Sequence, residues 1–197
     1  MTTWVENPRG GRDRGPRGVA RAWVEVLTRP RRFFDNGVAP GDQAPGLVFA
    51  VVMAVGYAVL LASVDPARFP VRGPLRTGVT VLLVGVLIAP ATLHLLAALQ
   101  TLALMVVVRD RAGVSETVQV LGYATAPCPL AALPVTGLRV ACCLYGAALL
   151  VIGLAAVHDT TRGRAALAGA LPATLLFGYG FGGVDALIAL LRAWYII

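Results

Sequence analysis

The chain has 197 residues, 57% of them hydrophobic, with a mean hydropathy of +0.76 and only 14% charged residues. A soluble domain carries about 25% charged residues, so this balance excludes an ordinary soluble domain and points to an integral membrane protein. The net charge is +7, and all of the basic residues are arginine.

Residues 1–18, MTTWVENPRGGRDRGPRG, are rich in Gly, Pro and Arg and are predicted to be a disordered tail. Residues 19–28, VARAWVEVLT, have helical spacing, with Val19, Trp23, Val26 and Leu27 on one face. Pro30 stops that element or starts a second short one. The stretch 19–36 reads as a juxtamembrane amphipathic element with aromatics inward and arginines outward. Its RPRRFF motif predicts a lipid-surface anchor: Phe33 and Phe34 dip into the headgroup boundary, while Arg29, Arg31 and Arg32 reach anionic lipid.

A membrane-spanning helix needs about 20 apolar residues. Residues 45–64 supply the first span without a charge, and 65–76 form a polar, Pro-rich turn. Residues 78–108 stay uncharged for 31 positions. That is about 46 Å of helix, against a hydrocarbon core of about 30 Å. The second span must therefore tilt, project or kink, and Pro90 is the candidate kink. After the loop RDRAGVSE, Ser115 is the expected N-cap of the third span, and Glu116 stands at its positive end. This span, 117–138, contains Pro127, Pro129 and Pro134; its broken backbone must sit inside the bundle, because lipid cannot satisfy the freed groups. Arg139 marks a turn, 140–157 is the fourth span, HDTTRGR is a loop, and 165–183 is the fifth span. Residues 184–197 either lengthen that span or lie in the interface; Trp194 and Tyr195 favour the interface. Twelve arginines fall on the N-terminal side of such a bundle and five on the other, which puts the N-terminus in the cytoplasm and the C-terminus outside. Arginines gathered at a membrane surface have anionic lipid as their partner and not nucleic acid.

None of the ten acidic residues lies in the middle of a span. The intramembrane polar candidates are His94, Gln100 and Tyr123. His94 could be a protonatable or hydrogen-bonding group in a polar seam with Gln100, or a neutral histidine bonded to a neighbouring helix or to a carbonyl freed by Pro90. GYGFGG, residues 178–183, lacks the Lys-Ser/Thr of a phosphate loop and reads as helix packing or a helix end. Cys142, Gly146 and Gly153 form a small-residue stripe suited to close helix contact, within the chain or between protomers. Cys128 lies at a similar depth to Cys142 and Cys143, so a disulfide between them is geometrically open. There is no nucleophile arrangement, and no cysteine–histidine spacing suits zinc, so no catalytic residue, cofactor or metal is expected.

In order, the chain presents RPRRFF before the spans, APATLHLLAALQ late in the second, VSETVQVLGYATAPCP in the third, and LYGAALLVIGLAAVHDTTRGRAAL through the fourth. Over residues 25–182 this resembles the Yip domain family, the Ypt/Rab-interacting multi-pass membrane proteins, in its prokaryotic branch. The resemblance implies a helical membrane bundle with a cytoplasmic N-terminus. The family's eukaryotic relatives bind small Ras-like GTPases and shape or sort vesicle membranes. This chain carries a short arginine-rich tail in place of a long acidic N-terminal region, and the family brings no catalytic or metal motif to these positions.

The expected fold is thus an all-α integral membrane bundle of five transmembrane helices over 37–183, with an N-terminal juxtamembrane amphipathic helix. The expected role is non-enzymatic, exercised at the cell membrane through lipid and through protein contacts, as a homo-oligomer or with another membrane protein. A small-solute transporter or channel using the Pro-broken third span and His94 is the alternative. It requires a polar cavity at mid-membrane lined by His94, Gln100 and Tyr123.

Overall fold

A computed structural model describes residues 15–196. Most of the predicted tail, residues 1–14, lies outside the described residues, while Pro16–Gly18 already belong to the first helix. Among the described residues the fold is all-helical. The helices are α1 (Pro16–Thr28), α2 (Pro30–Gly37), α3 (Ala44–Val64), α4 (Pro74–Leu83), α5 (Ala89–Val107), α6 (Val114–Ala124), α7 (Thr136–Val157), α8 (Arg162–Ala173) and α9 (Gly183–Ala193). Wide π-helical stretches join α4 to α5 (Val84–Ile88) and extend α8 (Thr174–Gly180), and a 3-10 helix (Cys128–Ala132) follows α6.

Prolines set most of the helix starts. Pro16, Pro30, Pro45 and Pro74 all sit at first-turn positions. There the missing N–H would have no intrahelical partner anyway. Pro90 does not break the long second segment: Pro74–Val107 is one helix of 34 residues, and the chain absorbs the proline through the π-helical turn before it. Among the described residues three helices are long and apolar enough to cross a membrane: Ala44–Val64, Pro74–Val107 and Thr136–Val157. Arg162–Gly180 and Gly183–Ala193 make a fourth if the pair, bent by 73°, counts as one span. The bend falls at Gly182, whose φ of +71° places it in the left-handed region that glycine enters freely. GYGFGG is therefore a helix end, as its composition suggests.

The segment read as a third span, 117–138, is not one helix. α6 has 11 residues and stops at Ala124, after which the chain turns and continues as the 3-10 helix. Pro127 and Pro129 cannot donate the backbone bonds that a continued α-helix needs. Every residue from Thr117 to Cys128 is buried, which meets the requirement that such a break be shielded by protein. α6 starts two residues earlier than the capping argument assumes: Gly113 is the N-cap and Ser115 lies inside the first turn. Arg139, read as a turn residue, lies in the first turn of α7.

Cross-links define the two ends of the bundle. At one end the 38–43 linker meets α6 through Ala39 and Gln119, and the 108–113 linker meets His158 at the end of α7. At the other end Arg68, after α3, donates to the carbonyl of Ala132, and Arg139 lies against Gly182. The chain alternates between these ends. The core between α3 and α6 is closed so tightly that a Cβ on Gly122 would lie 2.4 Å from the Gly46 carbonyl oxygen, and one on Gly46 would lie 2.5 Å from the Gln119 Cα. Small residues that bring backbones together are the usual means of packing helices where lipid removes the hydrophobic drive between them.

Candidate functional site

The arginine-rich end carries the densest set of specific polar and aromatic contacts. α1 and α2 do not float on it. Ala22, Val26, Phe33 and Phe34 all join the main core. Trp23 donates its indole N–H to the Ala126 carbonyl at 2.7 Å, where α6 has just ended and carbonyls are free. The Tyr145 hydroxyl, near the middle of α7, donates to the Leu27 carbonyl at 2.5 Å. That carbonyl is one of the last of α1, just ahead of Pro30. The helix pair is thus clasped onto the bundle by two aromatic hydrogen bonds that satisfy helix-end carbonyls.

Phe33 and Phe34 depart from the sequence expectation. Neither dips into a headgroup layer: they are 0% and 2% exposed. The Phe33 ring meets Tyr123 edge-on at 4.8 Å and Phe34 at 5.6 Å. Phe34 lies over Gly153, where an added Cβ would come within 2.9 Å of its ring. The glycine opens a dry notch between α6 and α7, and a buried aromatic ring gains more there than at an interface. Arg29, Arg31 and Arg32 do keep the outward position expected of them and are exposed.

Below α2, the 38–43 linker is held by α6. Gln119 is fully buried; its amide accepts from the Ala39 N–H at 3.0 Å and donates to the Ala39 carbonyl at 2.7 Å. Glu116 accepts from the Gly41 N–H at 3.2 Å. One turn away, His158 is 1% exposed. Its Nδ1 accepts from the Ala112 N–H at 3.1 Å, which leaves the ring proton on Nε2, 3.4 Å from the Thr117 hydroxyl. Burial pushes the imidazole down to about 4, with Glu116 opposing that shift and Arg111 adding to it. Two loops, 38–43 and 108–113, therefore converge on the buried side chains of Gln119 in α6 and His158 just past α7.

A family model, the Yip1 domain, matches residues 24–184. The chain belongs to the Yip1 family. The match begins inside α1 and ends at the start of α9, so it takes in Leu27 and the whole of α2 but not Trp23. No curated protein and no solved structure matches the chain.

The intramembrane candidates are not brought together. His94 is exposed on the outside of α5, and its Nδ1 bonds the Pro90 carbonyl one turn back at 2.7 Å. That carbonyl belongs to Pro90 itself and is not the one the proline frees. Gln100 is fully buried and donates to the Ala168 carbonyl on α8 at 3.0 Å. Pro172, four residues after Ala168, cannot supply the N–H that this carbonyl expects in a helix. Gln100 takes over that bond. Tyr123 packs between Phe33 and Phe49. A cavity of about 250 Å³ opens between α3, α5 and the end of α8, lined mostly by apolar residues, Ala and Leu above all, together with Thr80, Thr92, Thr125 and Tyr57. None of His94, Gln100 and Tyr123 reaches it.

The small-residue stripe packs within the chain. A Cβ on Gly146 would lie 2.5 Å from the Phe177 ring, and one on Gly153 would lie 2.7 Å from Val120. Cys142 is buried on the same helix, and Cys128, Cys142 and Cys143 are all free thiols, so the open disulfide is not formed. Among the described residues no group of three or more His, Cys, Asp or Glu is placed to hold a metal ion.

The sequence reading missed Gln119, His158 and Arg139. Gln119 stood out in principle, as an amide in an uncharged run that had already been assigned to the bundle interior. His158 reads as a loop residue because HDTTRGR is polar, and the fold that brings residue 112 to it leaves no local signal.

Proposed function

We propose that this Yip1-family protein is a non-enzymatic, multi-pass protein of the cell membrane that works through lipid and protein contacts. The reading has five passes, through about 45–64, 78–108, 117–138, 140–157 and 165–183, with the N-terminus cytoplasmic and the C-terminus outside. The third pass is α6 continued by the 3-10 helix. The fifth is α8 with its π-helical extension, and α9 then turns into the interface. The alternation of linkers between the two bundle ends supports this path, as does the 73° bend before α9. The cytoplasmic end is the clasped one. There α1 and α2 form the juxtamembrane amphipathic element, and Arg29, Arg31 and Arg32 face anionic headgroups from its outer side. The helix from Pro74 to Val107 has 34 residues. Its length of about 51 Å exceeds a hydrocarbon core of about 30 Å, so it tilts or projects beyond the core.

The observation that carries the reading is the dry centre. Phe33, Phe49 and Tyr123 stack where α2, α3 and α6 meet, Leu104 and Leu121 close the α5–α6 seam, and the nearby cavity is apolar. A transported polar solute would find no chain of partners there. Partners are a second copy or another membrane protein. The test is crosslinking in native membranes with a photoreactive group at Arg31, paired with a solute-leak assay in proteoliposomes. Specific crosslinked protein or anionic lipid without leak is expected. Selective solute flux that disappears when Gln100 or Tyr123 is replaced would overturn it.

A further inference from the structure

The end of the bundle opposite the clasp holds a positive cluster without enough counter-charge. Arg139 is 9% exposed, and its Nε donates to the Ala131 carbonyl at 3.3 Å. Among the described residues it has no carboxylate within 4.0 Å. Arg68 lies within electrostatic reach of it and is itself bound to Asp65 and to the Ala132 carbonyl. Two guanidinium groups thus share one carboxylate. Arg139 also stands in the first turn of α7, whose N-cap, Val135, offers no side-chain acceptor. The free N–H groups and the dipole of that helix end add more positive potential. A buried charge is normally paired, and leaving one unpaired is costly.

Next to this cluster lies the apolar cavity of about 250 Å³, bounded by Ala54, Ala58, Leu61, Val84, Leu93 and Leu176. That is the liquid volume of roughly eight waters at about 30 Å³ each, but a water needs two to four polar partners. Of the lining residues only Tyr57, Thr80, Thr92 and Thr125 carry a polar side-chain group, and the Thr125 hydroxyl is already bonded to the Gly122 carbonyl. Tyr57 and Phe181 connect the two features: both line the cavity and their rings meet edge-on at 5.1 Å. Tyr57 lies within electrostatic reach of Arg68 and Arg139, and Gly182, next to Phe181, packs against Arg139. The π-helical turn Val84–Ile88 supplies one wall of the cavity and widens the helix where a regular turn would be narrower.

We propose that this end of the bundle binds one anionic phospholipid, with its phosphate oxygens on Arg139 and one acyl chain in the cavity beside Tyr57 and Phe181. A lipid is the occupant because the anion site and the apolar cavity adjoin and because the bilayer supplies both parts in one molecule. The inference rests on the membrane-spanning reading above, but not on the number of passes or on a protein partner. Lipid binding can therefore fail with the topology intact.

The test is native mass spectrometry of the full chain released from micelles, titrated with phosphatidylglycerol, phosphatidylcholine or inorganic phosphate. The wild type should retain one phosphatidylglycerol in preference to phosphatidylcholine. Arg139→Gln should weaken phosphatidylglycerol about tenfold, the scale of a charge-assisted contact, to the level of phosphatidylcholine. Ala54→Leu, which fills the cavity, should weaken both lipids. Equal retention of the two lipids by the wild type, or unchanged retention in both variants, would overturn the proposal. So would displacement of phosphatidylglycerol by inorganic phosphate, which would make the site one for a free anion. If Arg139→Gln loses its helical circular dichroism, Ala54→Leu decides alone, and unchanged retention there is the refuting result.

Discussion

Gln100 and Pro172 make a closed test of how the bundle tolerates a proline inside α8. The amide of Gln100 donates to the Ala168 carbonyl at 3.0 Å, and Pro172 is the residue that cannot. Gln100→Met keeps the volume and removes the donor. The carbonyl is then bare in a dry interior, where an unpaired group costs about 1–3 kcal/mol. Two effects reduce that cost. Hydrogen bonds between membrane helices average about 0.6 kcal/mol. The Gln100 Oε1 is itself buried without a partner, so its removal gives some free energy back. A net loss of about 1 kcal/mol is expected. Pro172→Ala restores the N–H within α8, so Gln100→Met in that background should cost close to nothing. The assay is reversible unfolding in mixed micelles, read as a double-mutant cycle with a coupling of about 1 kcal/mol. An equal cost of Gln100→Met in both backgrounds would refute the reasoning.

Acid should loosen the linker end through His158. Its folded value of about 4 lies below the ordinary 6.5, so the unfolded chain takes up a proton first, and stability is lost as pH falls from about 6.5 towards 4. The limit is about 3 kcal/mol from the shift, checked by melting in detergent from pH 7.5 to 4.5 against His158→Gln, whose profile should be flatter. Gly122→Ala should cost about 3 kcal/mol or more, because the new Cβ would meet the Gly46 backbone at 2.4 Å; folding yield and melting temperature report it. Phe33→Ala should cost about 3–5 kcal/mol, as a buried ring does, and leave affinity for anionic vesicles unchanged, whereas a true headgroup anchor would lose affinity.

The helices that lipid shapes by composition alone were the legible ones. The uncharged run 45–64 became Ala44–Val64, and the run 78–108 became one helix ending at Val107, because apolar length is the dominant signal for a span. Pro30 starting a second helix and the interior position of the Pro-rich third segment also followed from local rules. What stayed hidden depended on partners distant in sequence. Phe33 and Phe34 look like an interfacial pair beside arginines until Gly153, about 120 residues later, offers a notch. Gln100 looks like a member of a polar seam until the broken bond at Ala168 claims it. His94 carried the strongest chemical suspicion and lies on the outside of α5, because a helix that long keeps only one face against the bundle.

The side on which each end lies is the most direct test of the account, since five passes separate the termini and four do not. Single cysteines at Ala67, Gly163 and Trp194 in a cysteine-free background, probed with a membrane-impermeant maleimide on intact cells and on inverted vesicles, decide it. Ala67 and Trp194 should be labelled from outside and Gly163 only from the cytoplasmic face. Labelling of Trp194 together with Gly163 from the cytoplasmic face would contradict it and reduce the bundle to an even number of passes.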